Sequence, residues 1–225
     1  MLTMVSFDML WTARKHTKLK SLLDLTTRME EKSAKLISYI FAPTQCALVT
    51  FLLLSYLLTQ TVDRDIVALV SVLFGSILPF LFILFLRYSA IITHIHVPNR
   101  QQRTIPYLIC ILIYFIGFLI LLFINAPLPV SVLMFCYATN TLVVTAINER
   151  WKISAHAMGI TGPLTLLFIV FGWKSLFAFP LVIIVPWARV KLKVHTVAQV
   201  IAGGLLGVPL TAIQTEFLFK LIGSH

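Results

Sequence analysis

Three short polar breaks in an otherwise apolar chain hold most of the residues that could do chemistry. They read HIHVPNRQQRTIP (94–106), NERWKISAHAMG (148–159) and WARVKLKVHTVAQV (187–200). Glu149 is the one carboxylate among them. Arginine and lysine without counter-ions suit an anionic ligand, and phosphate is the natural one. The histidines and basic side chains that could form such a site are His94, His96, His156, His195, Arg100, Arg103, Lys152, Arg189, Lys191 and Lys193.

The scarcity of carboxylates narrows the chemistry further. The chain has 8 acidic residues against 18 basic ones, and four of the eight lie in the first 31 residues. Glycosidases need paired carboxylates, and most magnesium sites need acidic clusters. His94 and His96 are spaced like metal ligands, but no cysteine or aspartate lies beside them. The sequence therefore predicts no metal and no cofactor, with histidines as nucleophile and proton donor and cations that stabilise the phosphoryl charge.

The elements that position these breaks are membrane-spanning helices. The chain has 225 residues, of which 59% are hydrophobic, and a mean hydropathy of +0.96. This is too apolar for a soluble domain, and a spanning helix needs about 20 apolar residues. We predict an all-α, polytopic membrane helical bundle with six to seven transmembrane helices. The apolar runs are 36–59, 66–93, 106–124, 128–147, 155–172, 175–187 and 196–219.

Two of these runs are weak, which leaves the number of spans open. The run 155–172 contains two glycines and a proline, and the short run 175–187 is interrupted by Pro180 and Pro186. Six spans and one broken or tilted helix is therefore the alternative to seven spans. We assign residues 36–225 to the transmembrane domain.

Residues 1–35 form a separate basic segment. It carries seven cations interleaved with leucines, which is typical of an amphipathic segment on an anionic membrane surface. A solvated tail is the alternative. With seven spans, this segment and the three breaks lie on one side of the membrane, which then holds fifteen of the 18 cations. The positive-inside rule predicts that this face is cytoplasmic. We expect the bilayer as a partner and no nucleic acid.

The motifs in the three breaks resemble a known family. Arg189 and His195 form Arg-x5-His before the glycine-rich helix HTVAQVIAGGLLG. This resembles the third signature, Ser-Arg-x5-His-x3-Asp, of the type 2 phosphatidic acid phosphatase superfamily, which contains lipid phosphate phosphatases and haloperoxidases. The second signature, Pro-Ser-Gly-His, resembles ISAHA with Ser154 and His156, and the first, Lys-x6-Arg-Pro, resembles RTIP with Arg103. The resemblance covers roughly residues 90–210.

The resemblance implies a metal-independent phosphatase that acts on a lipid phosphate or a polyprenyl mono- or diphosphate. His195 would attack phosphorus and form a phosphohistidine. His156 would protonate the leaving group and then activate water, and Arg189 would complete the catalytic set. The phosphoryl oxygens would be bound by Arg189, Arg103, Lys152, Ser154 and Arg100.

Departures from the signatures leave a second function open. Gln199 replaces the aspartate that orients the nucleophile, and Ala188, Ile153 and Ala155 replace other motif residues. Gln199 lies one turn after His195 and can orient the ring, but an amide cannot stabilise an imidazolium as a carboxylate does. The alternative is therefore a catalytically weak or inactive member of the family that binds phospholipid as a scaffold. The lipid or isoprenoid substrate and the oligomeric state stay open.

Overall fold

The computed structural model of the chain describes residues 20, 24–60, 63–92 and 100–223. These residues form helices and contain no strand, which confirms the all-α prediction. Two 3₁₀ helices, Arg100–Gln102 and Gly172–Ala178, and one π-helical turn, Leu73–Ile77, interrupt the α-helices. The α-helices are α1 (Asp24–Ile40), α2 (Pro43–Leu58), α3 (Arg64–Val72), α4 (Leu78–Tyr88), α5 (Thr104–Phe123), α6 (Leu128–Asn148), α7 (Ala155–Phe171), α8 (Leu181–Lys191) and α9 (Val197–Ile222).

Five helical segments in this part of the chain are long and apolar enough to cross a membrane. Helices α1 and α2 meet at a bend of 48° and add a sixth span if they are counted together. The chain is therefore an integral, multi-pass membrane protein with five candidate spans among the described residues, or with six, the lower predicted number, when α1 and α2 count as one. The five segments are Arg64–Tyr88, Arg100–Phe123, Leu128–Asn148, Ala155–Ala178 and Val197–Ile222.

The run 175–187 does not form a span of its own, which favours the alternative of six spans and one broken helix over seven spans. Its first residues belong to the 3₁₀ helix, and α8 has only 11 residues. At the helical rise of 1.5 Å, α8 is about 16 Å long, roughly half the hydrocarbon thickness of a bilayer. Together with the 3₁₀ helix, α8 brings the chain back to the end of the bundle where α7 begins.

Helices α7 and α9 run parallel with their backbones in close contact. A Cβ atom on Gly203 would lie 2.4 Å from the carbonyl oxygen of Ser154, and one on Gly207 would lie 2.1 Å from Oγ1 of Thr161. Only glycine fits at these two positions, as at other close helix contacts in membranes. Both helices therefore begin at the same end of the bundle.

Polar caps fix where α7 and α9 begin. Oγ of Ser154 accepts a hydrogen bond from the backbone N–H of Ala157 at 3.3 Å. At α9, Thr196 and Gln199 form a reciprocal capping box, in which each side chain accepts from the other residue's backbone N–H. His156 is the second residue of α7 and His195 directly precedes the cap of α9, so the two caps bring the histidines to the same end.

The predicted basic segment 1–35 is described only in part. Residues 1–19 and 21–23 lie outside the described residues, and with them the cations Arg14, Lys15 and Lys18. From Asp24 the segment is helical, and α1 continues beyond residue 35 to Ile40. The amphipathic membrane-surface role of the whole segment stays a prediction.

Candidate active site

Four ionisable side chains are buried at the end of the bundle where α7 and α9 begin. Their exposed fractions are 3% for Arg103, 8% for His156, 2% for Arg189 and 6% for His195. Each comes from a different place: the start of α5, the start of α7, the end of α8 and the residue before the cap of α9. Arg103, His156 and His195 line one cavity. The structure thus brings together residues of all three predicted breaks.

Hydrogen bonds between the breaks hold this arrangement. Nη1 of Arg103 donates to the carbonyl oxygen of Ile153 at 3.2 Å. The backbone N–H of Ser154 donates to the carbonyl oxygen of Gln199 at 3.3 Å. Because these contacts lie next to both histidines, movement of one break displaces the others.

Arg100 lies apart from the histidines. Its Nη1 donates to the carbonyl oxygens of Asn148 at 3.0 Å and Glu149 at 2.6 Å. It therefore ties the start of α5 to the end of α6 and does not line the cavity. The phosphate contact of Arg100 stays a prediction.

The hydrogen bonds of Gln199 determine the tautomer of His195. Oε1 of Gln199 lies 3.1 Å from Nδ1 of His195 and accepts from the backbone N–H of Thr196 at 3.2 Å. A backbone N–H can only donate, so the oxygen of the amide must face this side. Nδ1 is then the protonated nitrogen, and Nε2 carries the lone pair. Gln199 thus holds the orienting position predicted for it.

His195 is neutral at neutral pH. Burial lowers its pKa to about 3, and the nearby charges of Arg103, Arg189 and Lys152 act in the same direction. The hydrogen bond to Gln199 acts in the opposite sense but is the smallest contribution. A neutral imidazole with a lone pair on Nε2 is the form that can act as a nucleophile.

Arg189 is held beside His195 by the turn that ends α8. Its carbonyl oxygen accepts from the backbone N–H groups of Val194 at 3.2 Å and His195 at 3.4 Å. Its Nη1 donates to Oγ of Ser38 in α1 at 2.5 Å. Among the described residues, no group forms a hydrogen bond with its buried Nε. This N–H is a buried donor next to the site, although Arg189 is not among the residues that line the cavity or the cleft.

Lys152 extends the positive site toward the surface. It lies with His195, Gln199 and Lys193 in a shallow cleft. Partial burial lowers its pKa, and the charges of Arg103 and Arg189 lower it further. No carboxylate from the described residues lines this cleft or the cavity. Mutually repelling cations in such surroundings favour the binding of an anion.

Ser154 has a structural contact in addition to its predicted role. Its side chain is fully buried and caps α7. The N-terminus of a helix presents unpaired N–H groups, which favour anions. Ser154 therefore supports the start of α7 next to His156.

The cavity extends from the ionisable residues into the apolar bundle. Its volume is about 160 Å³. On α5 its lining runs from Arg103 to Tyr114, which corresponds to about 16 Å along the helix, or half the hydrocarbon thickness. Leu133 and Tyr137 line its deep part. The cavity thus has Arg103 and the two histidines at one end and a mostly apolar body, in which Asn140 and Thr211 are polar.

Sequence reasoning missed Ser38, which contacts Arg189 although 151 positions separate the two residues. Nothing local marks this serine, because the contact depends on how α1 packs. It also missed Asn148, whose Oδ1 accepts from the backbone N–H of Ile153 at 3.3 Å and closes the loop before α7. The sequence feature that could have indicated this contact is an asparagine at the end of an apolar run.

The described residues contain no group of three or more histidine, cysteine or acidic side chains that could hold a metal. His94 and His96 lie outside the described residues. A scan against protein-family models, a search of curated proteins and a search of solved structures each found no match. The case for a function therefore depends on the side chains at this site.

Proposed function

We propose that the protein is a metal-independent phosphatase embedded in the membrane, which hydrolyses a lipid phosphate or a polyprenyl mono- or diphosphate. One observation carries the proposal. A neutral histidine with its lone pair on Nε2 lies beside buried cations, at the end of an apolar cavity that no carboxylate of the described residues lines. The motif resemblance to the type 2 phosphatidic acid phosphatases supports the same reaction.

In the first step, Nε2 of His195 forms a bond to phosphorus while the bond to the leaving oxygen breaks. His156 gives its proton to that oxygen. In the second step, a water molecule gives a proton to His156 and its oxygen attacks phosphorus. The N–P bond breaks, orthophosphate is released, and both histidines return to their first state. Arg103 and Arg189 neutralise the non-bridging oxygens, on which charge develops.

The cavity supports a lipid as the substrate. A phosphate at the cationic end leaves its apolar chain in contact with the lining of α5 and α6, and the chain remains out of water. The partners proposed are therefore the bilayer and a membrane lipid or isoprenoid phosphate. We infer from the excess of cations at this end that the site faces the cytoplasm.

A second candidate function is a phospholipid-binding scaffold without turnover. It is favoured by Gln199, because an amide in place of a carboxylate stabilises the imidazolium form of His195 less. This candidate predicts that the site binds phosphate esters and leaves them intact.

The test is phosphate release by the purified protein in detergent with EDTA present. The substrates are phosphatidic acid, phosphatidylglycerol phosphate, farnesyl diphosphate and undecaprenyl diphosphate. We expect His195→Ala to lower release by about 10³-fold or more, while Arg64→Ala, at an exposed arginine at the start of α3, retains it. Release that requires a divalent metal, or that persists in His195→Ala, contradicts the proposed mechanism. Tight binding of a substrate by the wild type without release supports the scaffold.

A further inference from the structure

One face of α1 packs against the end of α8 at the site. Residues Glu30, Ala34 and Ser38 follow one another at intervals of four, and Ala34 and Ser38 are 0% and 1% exposed. The carboxylate of Glu30 pairs with the ammonium of Lys191, and Oγ of Ser38 accepts from Arg189. The two polar contacts lie two turns apart on α1 and half a turn apart on α8. This face therefore fixes the position of α1 relative to Arg189.

The guanidinium of Arg189 needs a partner that holds it without cancelling its charge. The side chain is buried, and the positive charge of Arg103 lies nearby. A guanidinium is planar, so one fixed hydrogen bond at Nη1 limits the directions in which the other N–H groups point. Ser38 supplies this bond as a neutral hydroxyl. A carboxylate in the same place would pair with Arg189 and weaken its attraction for a phosphate.

The corner between α1 and α2 also belongs to the wall of the cavity. Tyr39 follows Ser38 and lines the cavity, as do Ala42 and Pro43 at the bend into α2. The outer side of α1 is exposed at Leu25 and Met29. Helix α1 thus contacts the site with one side and leaves apolar side chains on the other.

We propose that Ser38 is a positioning residue of the anion site, and that α1 is therefore a part of this site. Ser38 holds the guanidinium of Arg189 so that its Nε–H faces the bound phosphoryl group. The inference rests on the proposed function, because it assumes that Arg189 binds phosphate. It adds a residue that lies outside all three polar breaks.

The test compares Ser38→Ala, Ser38→Cys and Ser38→Thr with Ser33→Ala. Thr keeps the hydroxyl, Cys keeps the shape but accepts hydrogen bonds weakly, and Ser33 is an exposed serine of the same helix. Three quantities are measured in detergent: kcat and KM for the best substrate, and the affinity for orthophosphate from the shift in unfolding temperature. We expect Ala and Cys to raise KM and to weaken orthophosphate binding about tenfold, with a smaller change in kcat. For Ser38→Thr and Ser33→Ala, we expect KM and the affinity for orthophosphate to stay within about twofold of the wild-type values.

Several outcomes would overturn the role of Ser38. If Ser38→Ala binds orthophosphate as tightly as the wild type, or if Thr and Ala lose affinity equally, the hydroxyl does not position Arg189. If Ser38→Ala fails to fold, Ser38→Cys decides the question by the same criteria. The failure of the proposed function is a different result, since the wild type itself would then neither release nor bind phosphate in a manner that depends on Arg189.

Discussion

The polar residues between α6 and α9 and those of the candidate site differ in their hydrogen bonding. Between α6 and α9, the hydroxyl of Thr139 donates to Oε1 of Gln214 at 2.8 Å, and Nε2 of Gln214 donates to Oδ1 of Asn140 at 3.2 Å. Nδ2 of Asn140 then donates to Oγ1 of Thr211 at 3.0 Å. This interhelical network is neutral, and the side-chain amide groups of Asn140 and Gln214 each donate and accept a hydrogen bond. At the site, by contrast, Arg103 in the cavity, Lys152 in the cleft and the buried Arg189 all act on His195, and no carboxylate of the described residues lines the cavity or the cleft.

The difference separates packing from function. A neutral network between helices holds them together in an apolar environment, where hydrogen bonds replace the missing water. Buried cations near one another raise the free energy of the folded state, since each loses solvation and repels the next. Ionisable residues buried in this way mark functional sites, where a bound anion neutralises the cations. Substitutions in the interhelical network should therefore affect stability, and substitutions in the site should affect activity.

The largest effect is expected for Arg189→Met. We expect kcat/KM to fall by about 10³-fold, because a buried donor to the phosphoryl oxygens is lost. The unfolding temperature without phosphate should not fall, since a repelling buried charge is removed. Arg64→Met, at an exposed arginine at the start of α3, serves as the control and should keep full activity. A loss of stability without a loss of activity would show that Arg189 contributes to helix packing, as the interhelical network does, and not to catalysis.

The pH dependence of stability is the next largest effect. His195 has a folded pKa of about 3 and an ordinary value of 6.5, so between these values the unfolded chain binds a proton that the folded protein does not. The stability is therefore fully present above pH 6.5 and falls as the pH is lowered toward 3, by a factor of up to about ten in the unfolding equilibrium per pH unit. The charged groups that face His195 are Arg103, Arg189 and Lys152, with His156 in the same cavity.

Denaturant unfolding at a series of pH values checks this expectation. His195→Asn removes the titrating group, so its stability should fall less steeply with acid than that of the wild type. Gln214→Leu leaves the site intact and should keep the wild-type slope. Equal slopes for His195→Asn and the wild type would mean that His195 is not held neutral.

A smaller effect is expected for Gln199→Asp, which restores the carboxylate of the motif. An aspartate one turn after His195 stabilises the imidazolium better than an amide does. We expect kcat to rise about tenfold if the protein is a phosphatase. Phosphate release under EDTA measures it, with Gln214→Glu as a control that adds a carboxylate to the interhelical network. An unchanged rate would show that Gln199 is not what limits turnover.

The smallest effect is expected for Gln214→Leu in the interhelical network. The variant leaves Oδ1 of Asn140 and the hydroxyl of Thr139 without this partner, which costs about 1 kcal/mol of stability. Thermal unfolding in detergent measures the loss. Turnover should change by less than about twofold, because Gln214 itself lines neither the cavity nor the cleft. A larger loss would show that turnover depends on the network through Asn140 and Thr211, which line the cavity.

The number of spans between two polar breaks predicts whether they lie at the same end of the bundle. Two spans, α5 and α6, separate the breaks 94–106 and 148–159, so counting helices predicts that these two lie at the same end. The same count included 187–200 only by taking 175–187 for a span. The described parts of the three breaks meet at one end because the 3₁₀ helix and α8 return the chain there. The return of the chain through α8 is not predictable in the same way, because apolar residues around Pro180 and Pro186 resemble a short span. The sequence does not distinguish Arg100 from Arg103, because a 3₁₀ turn between them decides which one faces the cavity.

The contact of Ser38 with Arg189 is beyond sequence reasoning for another reason. It depends on how α1 packs against the end of α8, and the polar residues of α1 do not indicate where its face will pack. Whether the site turns over a phosphate ester is equally outside what residue types determine. That outcome depends on how far Gln199 can replace an aspartate.

The close contact between α7 and α9 has a consequence for mutational scanning. Any side chain at Gly203 or Gly207 pushes the two helices apart, and with them His156 and His195. In a library of random variants scored by activity alone, these glycines would rank with the histidines although neither lines the cavity. A second score for the amount of folded protein in the membrane would not distinguish the glycines from the histidines if the bundle still folds with α7 and α9 displaced. Substitutions of these glycines then leave the amount of folded protein unchanged but abolish turnover. The same pattern is otherwise used to recognise a catalytic residue.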